Sequence, residues 1–409
     1  MAEQQTRRPR LLVLGLNYAP EPIGIGPYTA GLCEGLAARG WDVELIAGRP
    51  YYPAWRAMEC PDDGVERGVC VSRRPHYIPA RPTAARRLVH YLSFAASALP
   101  ALLRAARRKP DIVLAVCPAL LAAPVAWLAA RPSGARLWLH VQDFEVEAAF
   151  ATGLVGQGGP LARLALWFER AMLRRADLAS TIGPAMLRKL ADKRGSAQDT
   201  FELRNWANHP AGGGPLRDFR QEWSLGDRKV ALYSGNIAAK QGLEIVIEAA
   251  RRLSDRADIA FVICGEGPNR EALEAGAAGL ANVQFRDLQP AEDVAALMQL
   301  ASVHLLPQLA GAADLVLPSK LTNMLASGRP VIATAAADTG LAAEIEGCGV
   351  AVPPGDAGAL ARAIAALAGD PARAARLSKA ATARAASVWD RDAILDRADA
   401  ELRRRVAGP

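Results

Sequence analysis

The chain has 409 residues, of which 51% are hydrophobic and 22% are charged, and its formal net charge is +7. This composition excludes an intrinsically disordered protein, and the length exceeds one ordinary core, so about two folded domains are expected. The six cysteines form no CxxC pair, which favours reduced thiols in a cytosolic protein.

The N-terminal segment has a basic start followed by a short apolar run, residues 11–16. A run of this length predicts a first β-strand rather than a secretion signal. Uninterrupted apolar segments elsewhere stay below the roughly 20 residues of a membrane-spanning helix. The sequence therefore predicts a cytoplasmic protein.

Apolar runs of strand length alternate with helical patterns along the whole chain, which favours an α/β fold with parallel sheets. In the first half the predicted strands cover residues 10–16, 42–48, 111–117, 136–142, 178–183 and 200–205. In the second half they cover residues 229–235, 259–265, 283–287, 303–308, 330–335 and 349–355. A Pro/Gly cluster in "NHPAGGGPLRDF" interrupts the pattern and predicts a linker between two doubly wound domains near residue 212.

The loop after the first strand contains Gly24 and Gly26. A dinucleotide fingerprint would need glycine or alanine at Thr29 and a tighter turn after Leu16, so a Rossmann dehydrogenase is disfavoured. The loop instead predicts a helix that begins near Pro27 and whose N–H groups receive a phosphate or a sugar hydroxyl. An ordinary strand-to-helix connection is the alternative.

A helical pattern over residues 85–110 is apolar in its middle and basic at its ends. The cations are Arg86, Arg87, Arg104, Arg107, Arg108 and Lys109. Such a helix could lie on an anionic membrane surface, or it could be an amphipathic core helix with solvated ends. The sequence contains no zinc-finger, homeodomain or RNP-like signature, so nucleic-acid binding is not expected.

Two glycine bends follow successive predicted strands of the second half. In "YSGNIAAKQGLE" the strand ends at Gly235, Lys240 follows, and a helix begins after Gly242. In "VICGEGPNREAL" a Gly-x-Gly bend, Gly265 and Gly267, leads to a helix that is predicted to open near Pro268. A lysine beside a helix N-terminus can bind a diphosphate, although a solvated surface lysine is the alternative.

The order of these bends, followed by "PSKLTNMLASGRPVIA" and "VAVPPGDAGALARAI", resembles the C-terminal domain of retaining glycosyltransferases of family 4. The N-terminal loop and "LHVQDFEVEAAFATGL" resemble the branch of colanic acid and exopolysaccharide biosynthesis. The resemblance implies a GT-B fold, in which two Rossmann-like doubly wound domains face each other across a cleft. It implies an acceptor-binding domain over residues 1–212, a donor-binding domain over 213–386, and a helix over 387–409 that returns to the first domain.

This chain departs from the family pattern at the donor site. Asn236 stands where the family has an arginine beside the diphosphate, and the family's Glu pair falls on Leu315 and Asn323. We hypothesise that Lys320 supplies the missing charge, with the backbone N–H groups around Ser319 sharing the diphosphate. Ser319 as a helix cap and Lys320 as a surface charge is the alternative.

In the first domain, Gln142 takes the place of a histidine that is common in the family, while Asp143 keeps the acid. Asp143 and Glu145 are candidates for orienting the acceptor hydroxyl, although a strand-end aspartate can also cap the next helix. His140 lies on the same strand face as Gln142, so it points either to the cleft or into the core. The histidines form no metal-ligand spacing, and no bound metal is predicted.

The resemblance implies front-face transfer in which the departing diphosphate helps to take the acceptor proton. The predicted catalytic residues are Lys240, Lys320 and Asp143. The predicted donor-binding residues are Gly24, Gly26, Gly235, Asn236, Gly265, Gly267, Pro268, Ser319 and Asn323, and the predicted acceptor-side residues are Asn17, Glu21, His140, Gln142 and Glu145. No cofactor is expected beyond the nucleotide-sugar co-substrate.

The expected reaction moves a sugar from a nucleotide-sugar, with GDP-fucose as first choice and a UDP-hexose as alternative, to a lipid-linked saccharide in bacterial exopolysaccharide biosynthesis. The protein would then associate peripherally with the inner membrane face. A GT-B sugar epimerase and a non-catalytic glycan- or lipid-binding scaffold remain as alternatives. The sparse histidines count against the first, and the diphosphate-type bend counts against the second.

Overall fold

A computed structural model describes residues 7–22, 24–117, 120–144, 159–207, 217–238, 241–309 and 319–407. The chain forms two compact units. Unit 1 comprises residues 1–204 and 391–409, and unit 2 comprises residues 205–390. The predicted linker position, residue 212, lies outside the described residues.

Unit 1 contains an eight-stranded sheet in the order β3-β4-β2-β1-β5-β6-β7-β8. The strands are β1 (Arg10–Gly15), β2 (Asp42–Gly48), β3 (Asp63–Glu66), β4 (Val69–Arg74), β5 (Ile112–Cys117), β6 (Arg136–Val141), β7 (Leu178–Thr181) and β8 (Thr200–Glu202). The central strand β5 is buried along its whole length, as its continuous apolar sequence IVLAVC predicts for a parallel strand covered on both faces. Each of the six strands predicted in this half is present.

The hairpin β3–β4 was not predicted, and it adds an antiparallel pair to the edge of an otherwise parallel sheet. Its sequence is short and charged, so the pattern of a buried strand is absent. The hairpin forms because Arg73, whose side chain is almost fully buried, pairs with Glu66 at 2.5 Å and donates to the carbonyl oxygens of Pro61 and Ala19. The predicted parallel α/β sheet is therefore confirmed, with one antiparallel pair added at this edge.

The helices of unit 1 that precede the linker are α1 (Gly26–Ala38), α2 (Ala84–Ala106), α3 (Ala123–Ser133), α4 (Pro160–Arg175) and α5 (Pro184–Arg194). Helices α2, α3 and α4 each connect strands in the same direction across the sheet, from β4 to β5, from β5 to β6 and from β6 to β7. Because such crossovers are right-handed, these helices lie on one face of the sheet.

Unit 2 contains a six-stranded, fully parallel sheet in the order β11-β10-β9-β12-β13-β14. Its strands are β9 (Lys229–Ser234), β10 (Ile259–Cys264), β11 (Val283–Arg286), β12 (Val303–Leu306), β13 (Val331–Thr334) and β14 (Gly349–Val352). The order reverses between β9 and β12. In sheets of this type ligands bind beyond the carboxyl ends of the strands at the point of reversal.

The helices of unit 2 are α6 (Phe219–Glu222), α7 (Glu244–Arg252), α8 (Arg270–Gly276), α9 (Val294–Leu300), α10 (Ser319–Ala326), α11 (Gly340–Ile345), α12 (Ala357–Gly369) and α13 (Pro371–Val388). Apolar side chains alternate between the two faces of the sheet and build one core on each. Val230 and Leu232 of β9 belong to one core, whereas Ala231 and Tyr233 belong to the other. Trp389, at the end of α13, is buried in the first of these cores.

The last helix, α14 (Arg391–Val406), belongs to unit 1. It packs closely on α1 because Gly35 has no side chain: a Cβ there would lie 2.5 Å from Cδ1 of Leu395. The indole N–H of Trp41 donates to Asp399 at 2.6 Å. These contacts attach the segment from Arg391 onward to unit 1.

Candidate active site

Two glycine bends of unit 2 lie backbone against backbone beyond the carboxyl ends of β9 and β10. The N–H of Gly235 donates to the carbonyl oxygen of Cys264 at 2.9 Å. A Cβ on Gly265 would lie 2.9 Å from the carbonyl carbon of Gly235 and closer still to its oxygen, and a Cβ on Gly267 would lie 2.6 Å from the carbonyl carbon of Ile237. Gly265 and Gly267 also have positive φ angles of 154° and 156°. Only glycine fits these two positions.

The ammonium group of Lys320, at the start of α10, lies against this bend. A Cβ on Gly235 would lie 2.5 Å from Cε of Lys320. Nζ of Lys320 donates to the Tyr233 hydroxyl at 2.9 Å and lies 4.5 Å from the centroid of its ring. The sequence hypothesis required this lysine to lie beside Asn236, and the structure brings the two residues to the same bend.

Tyr233 was not predicted as a site residue, because the buried end of a strand gives no functional signal in the sequence. Its hydroxyl donates to the carbonyl oxygen of Asn236 at 2.6 Å while it accepts from Lys320. Burial raises the pKa of Tyr233, so the hydroxyl stays protonated and keeps its donor role. The tyrosine thus fixes both the bend and the lysine.

The N-terminal turn of α10 joins the same edge of the sheet. Lys320 and Asn323 are three residues apart and so lie on one side of the helix. The first turn of α10 contains no acidic residue. The positive end of the helix dipole and the Lys320 ammonium group therefore favour an anion at this turn. Lys240 and Leu315 lie outside the described residues.

The second bend is held by Arg270, which the sequence analysis missed. Its guanidinium group forms ion pairs of 2.7–2.8 Å with Glu266, Glu274 and Asp287, and it donates to the carbonyl oxygen of Gly265. Helix α8 begins at Arg270 and not at Pro268, which lies in the preceding turn. The predicted opening near Pro268 was therefore two residues early.

In unit 1, Asn17 and Glu21 form a buried network beyond the end of β1. The Asn17 amide donates to Oε2 of Glu21 at 2.9 Å, and Oε1 of Glu21 accepts from the backbone N–H groups of Tyr51 and Tyr52 at 3.0 and 3.1 Å. Burial raises the pKa of Glu21 although these hydrogen bonds oppose the shift. Both predicted acceptor-side residues thus hold two loops together.

Gly24 and Gly26, predicted on the donor side, are placed by the structure against this network. A Cβ on Gly26 would lie 2.9 Å from Cβ of Glu21, and one on Gly24 would lie 3.1 Å from the ring of Tyr52. Gly24 has a φ of 78°, which favours glycine. The loop before α1 can therefore follow the turn at Glu21 without side-chain overlap.

An aromatic cluster, which the sequence analysis did not identify, adjoins the same network. The ring centroid of Tyr51 lies 5.1 Å from that of Trp55 and 4.7 Å from that of His90. The guanidinium carbon of Arg87 lies 5.3 Å from the ring centroid of Trp55. Arg87 and His90 belong to α2. Tyr51 and His90 are buried, so they support the cluster from below, whereas Trp55 is half-buried and has a cation beside its ring. An accessible aromatic ring with a nearby cation suits a saccharide ring, which offers both C–H and O–H groups.

Asp143, half-buried after β6, lies near enough to act on this cluster electrostatically. Burial raises the pKa of Tyr52; Arg87 lowers it, and Glu21 and Asp143 raise it further. Asp143 therefore shares an environment with the Asn17–Glu21 network. Glu145 lies outside the described residues.

His140 belongs to the core of unit 1, so the structure decides between the two orientations left open by the sequence. Its Nδ1 lies 2.8 Å from Oγ of Ser180, and its Nε2 lies 2.9 Å from the amide nitrogen of Gln142. Burial lowers the pKa of His140 to about 3, so the imidazole is neutral near pH 7. A neutral histidine in this position orients the Gln142 amide at the end of β6.

The depressed pKa of His140 predicts an acid-sensitive unit 1. The neutral imidazole contributes its full share to the free energy of unfolding above the unfolded-state pKa of about 6.5. This contribution decreases by about 1.4 kcal/mol per pH unit as the pH falls from there toward 3. Urea unfolding at pH 7 and at pH 5 measures the loss. Between pH 7 and pH 5, the free energy of unfolding of His140→Asn should decrease by about 2 kcal/mol less than that of the wild type. Equal decreases in both proteins would contradict a neutral His140.

The described residues contain no group of three or more His, Cys, Asp or Glu side chains that could hold a metal ion. The six cysteines are free thiols. The first turn of α10 instead places the Lys320 ammonium group beside the donor-side bends. An ammonium group can bind an anion directly.

The doubly wound units and their glycine bends define a glycosyltransferase of the GT-B fold. The family described as "Glycosyl transferase 4-like domain" matches residues 24–206, and "Glycosyl transferases group 1" matches residues 228–370. The chain belongs to this family of GT4-type glycosyltransferases.

A relative from Escherichia coli K12, the putative colanic acid biosynthesis glycosyl transferase WcaI, is 42% identical over 372 residues, which cover 87% of this chain and 91% of the relative. Sucrose-phosphate synthase from Thermosynechococcus elongatus has a TM-score of 0.74 at 20% identity, with 98% of this chain and 100% of that one covered. Anabaena HepE in complex with UDP has a TM-score of 0.70 at 16% identity over 97% and 100%. At these identities the solved structures show the fold alone.

Proposed function

We propose that the protein transfers a sugar from a nucleotide-sugar, with retention of configuration, and that the diphosphate binds at the paired bends of unit 2. The observation that carries the proposal is the Lys320 ammonium held against Gly235 by Tyr233. This places a fixed cation where β9 ends, at the reversal point of the sheet. We propose that this cation replaces the arginine that the family resemblance expects at Asn236.

The chemistry follows from the charge that develops on the leaving group. As the glycosidic bond breaks, negative charge grows on the diphosphate, and the Lys320 ammonium together with the N–H groups of α10 stabilises it. Lys240 is proposed as a second cation. A front-face displacement then needs little from a protein base, since the departing diphosphate takes the acceptor proton. Neither a metal ion nor a further cofactor is part of this proposal.

We propose a lipid-linked saccharide as acceptor, in bacterial exopolysaccharide assembly at the cytoplasmic face of the inner membrane. The resemblance to WcaI supports the pathway class. The half-buried Trp55, with Arg87 beside its ring and Asp143 in the same environment, supports a saccharide site in unit 1. Asp143 would orient the acceptor hydroxyl.

For the donor we propose GDP-fucose first and a UDP-hexose second. HepE, one of the solved structures of the same fold, is described in complex with UDP-glucose. The likeness at 16% identity does not choose between the two bases. The donor is therefore the first property to measure.

A thermal-shift comparison of GDP, UDP, GDP-fucose, UDP-glucose and UDP-N-acetylglucosamine tests the donor proposal. A ligand that binds only the native state raises the unfolding midpoint. At a concentration one hundred times its dissociation constant, it raises the free energy of unfolding by about 2.7 kcal/mol. We expect one nucleotide class to shift the midpoint and Lys240→Ala to reduce that shift. A shift that is unchanged in Lys240→Ala would remove this lysine from the site.

A non-catalytic scaffold is a second candidate, because Asn323 stands where the family resemblance expects a donor-binding glutamate. No midpoint shift with any of the five nucleotides would favour this candidate. Measured sugar transfer would exclude it.

A further inference from the structure

One side of helix α2 is an exposed row of apolar side chains. The exposed apolar residues along one side of it are Ala85, Val89, Leu92, Ala96, Pro100 and Leu103. They recur every three or four residues and so form one continuous side of the helix, which the exposed Leu88 adjoins and which the exposed Arg86 and Arg104 flank near its two ends. By length and composition alone, residues 85–106 would be sufficient to cross a membrane. Its opposite side, however, contains the buried His90, Phe94 and Leu102 and packs on the sheet of unit 1.

The two neighbouring helices extend this apolar surface. Helix α3 contacts both α2 and α4, and all three lie on the same face of the sheet. Leu128 of α3 is exposed, as are Leu164 and Trp167 of α4, the tryptophan by 62%. Of the eleven large hydrophobic side chains that are exposed in the described part of the chain, seven lie on these three helices.

Charge on this surface has a single sign. The exposed cations at the ends and edges of the three helices are Arg86, Arg104, Arg131, Arg163, Arg170, Arg174 and Arg175. The three helices contain one acidic residue, Glu169, which is buried in an ion pair with Lys193. Between Arg67 and Gln142 the sequence has only Asp111 as an acid, and its carboxylate binds Arg7 and the N–H of Arg10.

We infer that the outer surface of α2, α3 and α4, here named the three-helix face, docks on an anionic lipid bilayer. Its apolar stripe would enter the boundary between headgroups and acyl chains, while the arginines bind lipid phosphates. An apolar core helix of a soluble protein would have a polar outer side, and a nucleic-acid surface would lack the leucines. This inference extends the peripheral location given in the proposed function and rests on it for the choice of membrane.

The three-helix face is connected to the proposed acceptor site through α2. Arg87 and His90, in the first two turns of α2, contact the ring of Trp55. Leu88 and Leu92, on the same turns, are about half exposed. A lipid whose chains lie beside Leu92 can therefore present its saccharide within a few residues of the aromatic cluster.

Co-sedimentation of the full-length protein with lipid vesicles, in the absence of any nucleotide, tests the inference. We expect binding to phosphatidylcholine vesicles that contain about one third phosphatidylglycerol, weak binding to phosphatidylcholine alone, and a decrease when salt rises above about 0.15 M. Leu92→Glu/Leu103→Glu should weaken binding at least about tenfold. Leu288→Glu in unit 2, where the leucine is 58% exposed, is the matched control and should bind like the wild type.

The variants are checked for folding by thermal unfolding and by the nucleotide-induced midpoint shift, which depends on unit 2. Arg104→Glu/Arg170→Glu keeps the apolar stripe and should lose binding to the anionic vesicles. Two results would overturn the inference. One is a wild-type protein that binds neither kind of vesicle, and the other is a wild-type dimer that the Leu92→Glu/Leu103→Glu substitutions dissociate. Vesicle binding without sugar transfer would instead contradict only the proposed function.

Discussion

Replacing Gly265 with alanine is expected to destabilise unit 2 by about 2–5 kcal/mol and to abolish nucleotide binding. The added Cβ would overlap the carbonyl group of Gly235, which is backbone and cannot move aside as a side chain could. Overpacking costs about 1–3 kcal/mol, and a side chain at positive φ costs about 1–2 kcal/mol more. Either the β9 bend shifts away from Lys320 or the unit unfolds. Urea unfolding and a nucleotide midpoint shift measure the two effects.

Gly276→Ala provides the matched control, because it makes the same chemical change in the same unit. A Cβ at Gly276 meets nothing within 4 Å, and the residue ends α8 without a positive φ. We expect this variant to be neutral or to gain up to about 1 kcal/mol, since alanine restricts the unfolded chain more than glycine does. A Gly265→Ala protein as stable as Gly276→Ala would show that the two bends are not packed as described.

Twelve of the fourteen strands in the described part of the chain could be predicted, because each coincides with a short run that is apolar or that alternates apolar and polar residues. In parallel sheets such runs are buried on both faces, so the sequence signal is strong and local. The hairpin β3–β4 gave no such signal. It depends on the pairing of Arg73 with Glu66, a contact that only the folded chain creates.

In the candidate site, too, the features that follow from local sequence could be predicted, and those that depend on contacts across the fold could not. The bends at Gly235 and Gly265 could be predicted from their position after strands, and the proximity of Lys320 could be hypothesised from a family position that Asn236 leaves uncharged. The orientation of His140 could not, because residues of a strand buried on both faces alternate between two apolar environments. Tyr233 and Arg270 were missed because their roles depend on contacts with Lys320 and Gly265 across the fold.

Replacing Lys320 with alanine is expected to lower kcat/KM for sugar transfer by about 100- to 1000-fold, as the loss of one preorganised group at a developing charge commonly does. Most of the decrease should appear in kcat, because the diphosphate gains charge in the transition state. Lys320→Arg should recover part of the rate, since it keeps the charge but not the compact ammonium. Steady-state kinetics with the donor found by thermal shift provides the measurement.

Two variants separate the charge of Lys320 from its packing. Tyr233→Phe removes the hydroxyl that accepts from Lys320 and donates to Asn236, but it leaves the ammonium and the ring in place. It should therefore lower the rate less than Lys320→Ala does. Lys229→Ala removes an exposed lysine at the opposite end of the same strand and should leave kcat unchanged. Equal kinetics for Lys320→Ala and Lys229→Ala would mean that Lys320 only packs on Tyr233, and the leaving-group charge would then depend on Lys240 and the helix N–H groups.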